Sequence, residues 1–355
     1  MHAPGYPFAG LSTCRGTKRG RRSAGLPLLF VVPLVLAGCG GAQNTLNPHS
    51  HAATDIANLF WWMMGVSFGG LALVSGIMVA AWFKRGRSGT ASHPGREGGE
   101  RLGNAVVIAL GIVLPIAVVC ALFVVGDALI VNVTQAPAAS STSLTVQAVG
   151  HQWWWEFKYP GTAADTADEL HIPVDTRVNL VATTADVIHS FWVPALNRKI
   201  DAIPSHRNRI TLYSDTVGVF RGQCGEFCGL QHAHMGMLVI VQTKAAFNSW
   251  LRHEAAKAGP PGGPAEQAGQ KVFLDGACSS CHTIRGTSAS GYVGPDLTHL
   301  ADRKWIAGLA IPNRKGYLGG WIVDSQHILP GNEMPNTDLT GLQLRHLLAY
   351  LESLK

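Results

Sequence analysis

A short segment near residue 230 carries two cysteines, a histidine and a methionine at spacings that let one loop bring them together. Cys224 and Cys228 are four positions apart, His232 follows four positions later, and Met235 follows three beyond that. Thiolate, imidazole and thioether ligands together favour copper. Two cysteines allow both sulfurs to bridge two copper ions, and each ion then needs one terminal nitrogen. The second nitrogen must come from elsewhere in the chain, and His189 is the candidate.

A second cysteine pair has the spacing of covalent haem attachment. Cys278-Ser-Ser-Cys281-His282 is a CxxCH sequence, in which two thiols form thioethers with the haem and the histidine binds the iron. Met334 is the expected sixth ligand, and histidine–methionine ligation raises the haem potential, which suits donation of electrons to copper. The rival sixth ligands are His299 and His327.

Simpler interpretations of these cysteines are disfavoured. A zinc site would need further ligands at zinc spacing, which are lacking near the first pair. A Cys224–Cys228 disulfide is a second alternative, and a thioredoxin-like role for the CxxC pair would require a surrounding βαβ pattern. We interpret His234 as a bystander outside the motif, and His206 and His171 as surface residues.

The N-terminus is typical of an exported lipoprotein. A basic region precedes the short apolar run Leu26–Leu36, and Leu36-Ala-Gly-Cys39 resembles a lipobox, in which Cys39 is acylated. We therefore predict a lipoprotein signal peptide over residues 1–38.

Two later apolar runs are long enough to cross a bilayer. They predict transmembrane helices over about 59–83 and 105–126, within a hairpin that spans residues 39–135. The loop between the runs is rich in arginine and lysine, and the positive-inside rule places such a loop in the cytoplasm. The chain after the second helix then lies on the outer face of the membrane.

The rest of the chain, which has 355 residues in all, is long enough for two further domains. Short alternating strands separated by turn signals predict a β-sandwich or barrel over residues 136–256. The Gly/Pro-rich residues 257–264 predict a linker, and helical spacing prevails over residues 265–355. Thr340-x-x-Gln343 predicts a capping box at the last helix. The net charge of +6 comes without a basic run interleaved with aromatics in the distal half, which argues against a nucleic-acid partner.

Between residues 55 and 243 the chain resembles subunit II of cytochrome c oxidases. The likeness includes Gln152-Trp-Trp-Trp155, the HSFWVP segment that begins at His189, and the segment from Cys224 to Met235, which we call the copper loop. Residues 265–355 are similar to class I cytochromes c. Together they resemble subunit II of a caa-type oxidase, which carries a fused C-terminal cytochrome c domain. The resemblance implies a two-helix transmembrane hairpin, an all-β cupredoxin-like Greek-key domain and an all-α class I cytochrome c domain.

The resemblance also implies roles for individual residues. Cys224 and Cys228 would bridge the coppers of a dinuclear CuA centre, with Met235 as a weak axial ligand. The full implied set of copper ligands is His189, Cys224, Glu226 through its backbone carbonyl, Cys228, His232 and Met235. The side chain of Glu226 would help to bind a magnesium ion shared with subunit I. Trp153, Trp154 and Trp155 would lie near the patch where electrons arrive, although packing is an alternative role for them.

The function implied is electron acceptance by a haem–copper terminal oxidase. Electrons would pass from cytochrome c through haem c and CuA to subunit I, where oxygen is reduced to water with coupled proton pumping. The implied partners are subunits I and III, cytochrome c and membrane lipid, with both soluble domains on the periplasmic face of a bacterial inner membrane. The rival functions are a quinol oxidase subunit, which would lack the copper ligands, a nitric or nitrous oxide reductase component, and a membrane copper carrier.

Overall fold

The structure is a computed structural model that describes residues 41–87, 97–134 and 142–355. The predicted signal peptide over residues 1–38 and the predicted acylation site Cys39 lie outside the described residues, as does the middle of the basic loop.

Two long apolar helices precede the soluble part of the chain. Helix α1 spans His51–Arg87, and the second apolar stretch consists of α2 (Glu97–Ile108), a π-helical turn (Ala109–Val113) and α3 (Leu114–Thr134). Both stretches are long and apolar enough to cross a membrane. The most apolar part of each is exposed and is not covered by other described residues. The helices extend beyond the apolar runs that predict them, because helix formation continues through polar flanking residues.

The start of α1 is attached to the β domain that follows. Ser50 caps the helix by accepting the Ala53 N–H at 3.1 Å, and its hydroxyl donates to the carbonyl of Leu196. The His49 N–H donates to the carbonyl of Ala195 at 2.8 Å. The N-terminal end of α1 therefore lies on the same side as the β domain, as a two-helix hairpin requires.

The β domain consists of two five-stranded sheets. Their strand orders are β3-β2-β1-β5-β8 and β4-β10-β9-β6-β7, with β1–β5 and β4–β10 parallel and the other pairs antiparallel. This mixed sandwich confirms the predicted cupredoxin-like fold. The strands are β1 (Leu144–His151), β2 (Trp154–Lys158), β3 (Asp165–Ala167), β4 (Glu169–Pro173), β5 (Val178–Thr184), β6 (His189–Trp192), β7 (Ile200–Ala202), β8 (Asn208–Leu212), β9 (Gly218–Cys224) and β10 (Gly236–Gln242).

Alternating side chains of the two sheets form the core between them. Trp155, Phe157 and Leu180 are fully buried there. Because side chains alternate along each strand, polar neighbours such as Glu156 point away from this core. The same register places Phe191 of β6 opposite Cys224 of β9, so the strands fix where the copper loop begins.

Helix α4 (Lys244–Glu254) closes one side of the β domain and overturns one prediction. His171 is not a surface residue: it is 8% exposed, and its ring stacks on Trp250 of α4 with centroids 3.9 Å apart. Its Nδ1 lies 3.0 Å from the Gln242 amide oxygen, and burial lowers its pKa to about 4. The strand pattern alone could not show that a later helix covers this position. His206 is exposed, as predicted.

The C-terminal domain is mainly helical. Phe273 and Tyr350, on two helices that pack together, are buried with Leu347 in its core. The capping box predicted at Thr340 and Gln343 is present. The helices are α5 (Pro264–Asp275), α6 (Cys278–Cys281), α7 (Lys315–Val323), α8 (Ser325–Ile328) and α9 (Gly341–Ser353), with a small hairpin of β11 (Trp305–Ile306) and β12 (Ile311–Pro312).

Candidate copper and haem sites

The loop between β9 and β10 gathers the predicted copper ligands. Nδ1 of His189, at the start of β6, lies 3.8 Å from Sγ of Cys224, and Nδ1 of His232 lies 3.6 Å from Sγ of Cys228. Sγ of Cys228 is also 3.8 Å from Sδ of Met235. Sγ of Cys224 lies 3.1 Å from the carbonyl oxygen of Glu226.

This donor set fits a dinuclear copper site better than the alternatives. Both cysteines are buried free thiols, so they form no disulfide, and each faces one imidazole. A pair of thiols, a terminal histidine on each and a thioether match the soft ligands that copper prefers.

The two thiols divide their protons unequally. The hydrogen bond from Cys228 lowers the pKa of Cys224 to about 4, with His189 contributing in the same direction. The same hydrogen bond raises the pKa of Cys228, and burial adds to that effect. Both sulfurs must be deprotonated when a cation binds them.

Asp186 is a residue of this site that the motifs do not reveal. Its Oδ1 lies 2.7 Å from Nε2 of His189, and its carboxylate also accepts the N–H groups of Gln152 and Val187, at 2.7 and 2.6 Å. Burial alone would lower the pKa of His189, but the hydrogen bonds to Asp186 and Cys224, with the charges of both groups, together raise it. With Nε2 held by Asp186, Nδ1 faces the thiols. The sequence feature that could have indicated this role is an acidic residue three positions before the histidine.

The three tryptophans occupy different environments. Trp153 is 8% exposed, and its Nε1 donates to the carbonyl of Cys228 at 3.0 Å. Trp154 is half-buried and stacks on His151 at 4.2 Å between centroids. Trp155 is fully buried and meets His189 edge-on with centroids 6.0 Å apart. Only the first two also line the cavity of the C-terminal domain.

Two side chains of the copper loop itself are hydrogen-bonded away from the thiols. Nδ1 of His234 lies 2.8 Å from the amide oxygen of Gln231, which agrees with its interpretation as a bystander. The carboxylate of Glu226 is exposed and accepts the Lys199 ammonium at 2.9 Å, which lowers the pKa of Glu226.

A cavity of about 350 Å³ in the C-terminal domain brings together the predicted haem residues. Cys278, Cys281, His282 and Met334 all line it. Nδ1 of His282 lies 2.8 Å from the Pro295 carbonyl and donates to it, so Nε2 carries the lone pair that binds iron. Burial lowers the pKa of His282, which keeps the ring neutral as a ligand must be.

Backbone packing sets the position of the His282 ring. A Cβ atom on Gly294 would lie 2.4 Å from Cε1 of His282, so only glycine admits the ring there. The cavity and this close approach fit a haem bound covalently at the CxxCH sequence.

Met334, which also lines the cavity, is held by its backbone. The carbonyl oxygen of Met334 accepts Ser325 Oγ at 2.6 Å and Gln326 Nε2 at 3.0 Å, and its N–H donates to Oδ1 of Asn332 at 2.8 Å. Among the described residues that line the cavity, neither rival ligand is found. His299 is buried elsewhere with Nε2 on the Ala256 carbonyl, and His327 follows Asp324 at the start of α8.

Comparison with known proteins agrees with this arrangement. The family "Cytochrome C oxidase subunit II, periplasmic domain" matches residues 162–243, and the family "Cytochrome c" matches residues 266–355. The chain is 32% identical over 341 residues to cytochrome c oxidase subunit 2 of Alkalihalophilus pseudofirmus, covering 93% of this chain and 96% of that protein. It is 29% identical over 347 residues to cytochrome c oxidase subunit 2 of Bacillus subtilis, covering 92% and 96%.

A solved structure is also similar. The crystal structure of the periplasmic domain of subunit II of cytochrome oxidase from Bradyrhizobium japonicum covers 34% of this chain and 100% of that chain, at 32% identity and a TM-score of 0.32.

A cupredoxin-like domain with a thiol-rich loop, followed by a helical domain with a CxxCH cavity, defines an electron-transfer subunit of the oxidase class. The chain belongs to the cytochrome c oxidase subunit II family, in the form with a fused C-terminal cytochrome c domain. The resemblance stated from the sequence is thereby confirmed.

Proposed function

We propose that this chain is the electron-accepting subunit of a haem–copper terminal oxidase. Electrons pass from cytochrome c to the C-terminal domain, then to the copper loop, and then to subunit I, where oxygen is reduced to water with coupled proton pumping. The observation that carries the proposal is the position of Trp153. Its side chain lines the cavity that contains the CxxCH residues, and its Nε1 donates to the Cys228 carbonyl.

The residues that hold the copper pair are His189, Cys224, Glu226 through its carbonyl, Cys228, His232 and Met235. When bound there, a copper pair would supply reversible one-electron transfer. Asp186 holds the His189 ring so that Nδ1 points at the thiols. Burial of both cysteines excludes water from the sulfurs, and the β9–β10 strands keep the loop from moving.

Cys278, Cys281, His282 and Met334 hold haem c, which supplies a second one-electron centre when bound. The Pro295 carbonyl orients His282, and Ser325, Gln326 and Asn332 orient the methionine. Covalent fusion keeps this donor at a high effective concentration beside the copper loop.

We propose the remaining assignments from the resemblance to the family. The apolar helices anchor the chain in the inner membrane, in contact with lipid and subunits I and III, and both soluble domains face the periplasm. Residues 1–38 form a signal peptide, 39–135 the hairpin, 136–256 the CuA domain, 257–264 the linker and 265–355 the cytochrome domain. The side chain of Glu226, which accepts the Lys199 ammonium in this structure, would help to bind a magnesium ion shared with subunit I.

The proposal is tested by metal analysis and optical spectroscopy of the purified full chain, expressed with haem c maturation and added copper. We expect two coppers and one haem per chain, a near-infrared band of a mixed-valence copper pair, and a c-type α band on reduction. Haem without copper would reject electron transfer through CuA and favour a quinol oxidase relative.

A further inference from the structure

A turn of the C-terminal cytochrome domain contacts the β domain, called the copper domain below, beside the copper loop. Strands β11 and β12 form a hairpin, and residues 307–310 connect them. The Gly308 N–H donates to Oδ2 of Asp168 at 3.0 Å, and the Gly308 carbonyl accepts the Gly236 N–H at 2.9 Å. Both backbone groups of a single glycine are therefore hydrogen-bonded to the other domain.

The position of Gly308 has no room for a side chain. A Cβ atom there would lie 2.5 Å from the carbonyl oxygen of His234, 2.8 Å from that of Trp153 and 3.4 Å from Cα of Met235. Because two of these are rigid backbone oxygens, a larger residue would push the domains apart.

The turn itself is strained. Ala307, Gly308 and Leu309 have φ values of 57°, 64° and 65°, a left-handed run that includes two residues with side chains. Such conformations persist only where the surroundings hold them. Leu309 is 5% exposed, so contacts with the copper domain supply the restraint.

Two adjacent carboxylates of the copper domain receive this segment. Besides Asp168, Oε1 of Glu169 accepts the Lys304 N–H at 3.0 Å. Asp168 and Glu169 are 3% and 5% exposed, and buried carboxylates are costly unless hydrogen-bonded. Docking of residues 304–308 therefore supplies hydrogen bonds that these two buried carboxylates need.

The hairpin also connects the two candidate sites. Trp305, Ile306 and Ala307 line the haem cavity. Gly308, the next residue along the chain, accepts the Gly236 N–H through its carbonyl. Gly236 is covalently joined to Met235. Covalent bonds and one hydrogen bond thus run from the cavity wall to a candidate copper ligand.

We propose that residues 304–309 are a docking segment that fixes the haem cavity against the copper loop, with Gly308, Asp168 and Glu169 as positioning residues. This inference rests on the proposed function. One electron leaves the reduced haem and enters the oxidised copper pair without any bond being made or broken. Since Trp153 is covered in this arrangement, an external cytochrome delivers its electron to the haem and not to Trp153.

The test is Gly308→Ala in the full chain within its oxidase complex. We expect the amides of residues 236 and 308 to exchange hydrogen about tenfold faster or more, because their bonds open. After flash reduction of the haem, we expect electron transfer to copper to slow by about tenfold or more, because the two sites lose their fixed geometry. Haem and copper content stay unchanged. Gly316→Ala is the matched control, since a Cβ atom there meets nothing within 4 Å.

Wild-type exchange at both amides in Gly308→Ala would overturn the proposal, and so would faster exchange with an unchanged transfer rate. If Gly308→Ala does not fold, Gly236→Ala replaces it under the same criteria, since its Cβ atom would lie 3.2 Å from the Gly308 carbonyl oxygen. Hydrogen exchange at residues 236 and 308 reports docking directly and does not depend on electron transfer. A wild-type chain that lacks copper or haem therefore counts against the proposed function and not against docking.

Discussion

The carboxylate of Asp186 lies 2.7 Å from Nε2 of His189, on the opposite side of the ring from the nitrogen that faces Cys224. A carboxylate behind a metal-binding histidine fixes the ring orientation and increases its basicity. The same carboxylate is held by two backbone N–H groups, so it cannot turn away. The nitrogen that faces the thiols is thus selected by a residue outside the predicted ligand set.

Asp186→Asn should weaken copper binding about 10- to 100-fold, because a neutral amide holds the His189 ring less firmly. Competition with a copper chelator of known affinity measures the effect on the purified chain. Asp215→Asn, at an exposed carboxylate, is the control and should bind copper normally. Unchanged affinity in the Asp186 variant would show that the strands alone orient His189.

Trp153→Phe should slow electron transfer from haem to copper while leaving both metal contents unchanged. The substitution removes the N–H bond to the Cys228 carbonyl and part of the cavity wall. Flash reduction followed at the haem and copper bands provides the measurement. Trp250→Phe, which alters the tryptophan stacked on His171, is the matched control. Equal rates in the two variants would remove Trp153 from the electron path.

The parts of this molecule that the sequence predicts are those set by local spacing. The CxxCH residues lie within five positions, and one loop brings Cys224, Cys228 and Met235 together. Strand alternation predicts the sandwich because one face of each sheet must be buried. In each case the determining contacts lie close together along the chain.

Long-range contacts account for what the sequence did not predict. The bond from Gly308 to Asp168 joins residues 140 positions apart, and no local pattern marks either one. His171 was wrongly interpreted as exposed because α4, which covers it, follows much later in the chain. Asp186 is near His189 in sequence, but its role depends on how β6 turns that ring.

Met334→Ala should lower the haem reduction potential and let the reduced iron bind carbon monoxide, since histidine–methionine ligation raises the potential and fills the sixth position. Redox titration and the carbon monoxide difference spectrum measure these changes. His327→Ala is the control for the rival ligand and should keep wild-type values. A response in the His327 variant instead would transfer the sixth-ligand role to that histidine.

Glu254, at the end of α4, should make the stability of the soluble region depend on pH. It is 4% exposed, Oε1 has no hydrogen-bond partner among the described residues, and burial raises its pKa to about 8 against the attraction of Arg303 and Arg285. Asp296 and Asp165 add repulsion.

Because the folded-state pKa of Glu254 is raised above the ordinary value of 4.5, its stabilising contribution is complete below pH 4.5. That contribution is lost as the pH rises through about 8, where the buried carboxyl ionises. The loss is at most about 1.4 kcal/mol per pH unit. Glu254→Gln cannot ionise, so its unfolding temperature should fall less between pH 5 and pH 8 than that of the wild type, measured by thermal unfolding of the detergent-solubilised chain. Glu352→Gln, at a surface pair with Lys315, should follow the wild-type curve. Parallel pH profiles for wild type and Glu254→Gln would mean that the arginines already neutralise the carboxylate.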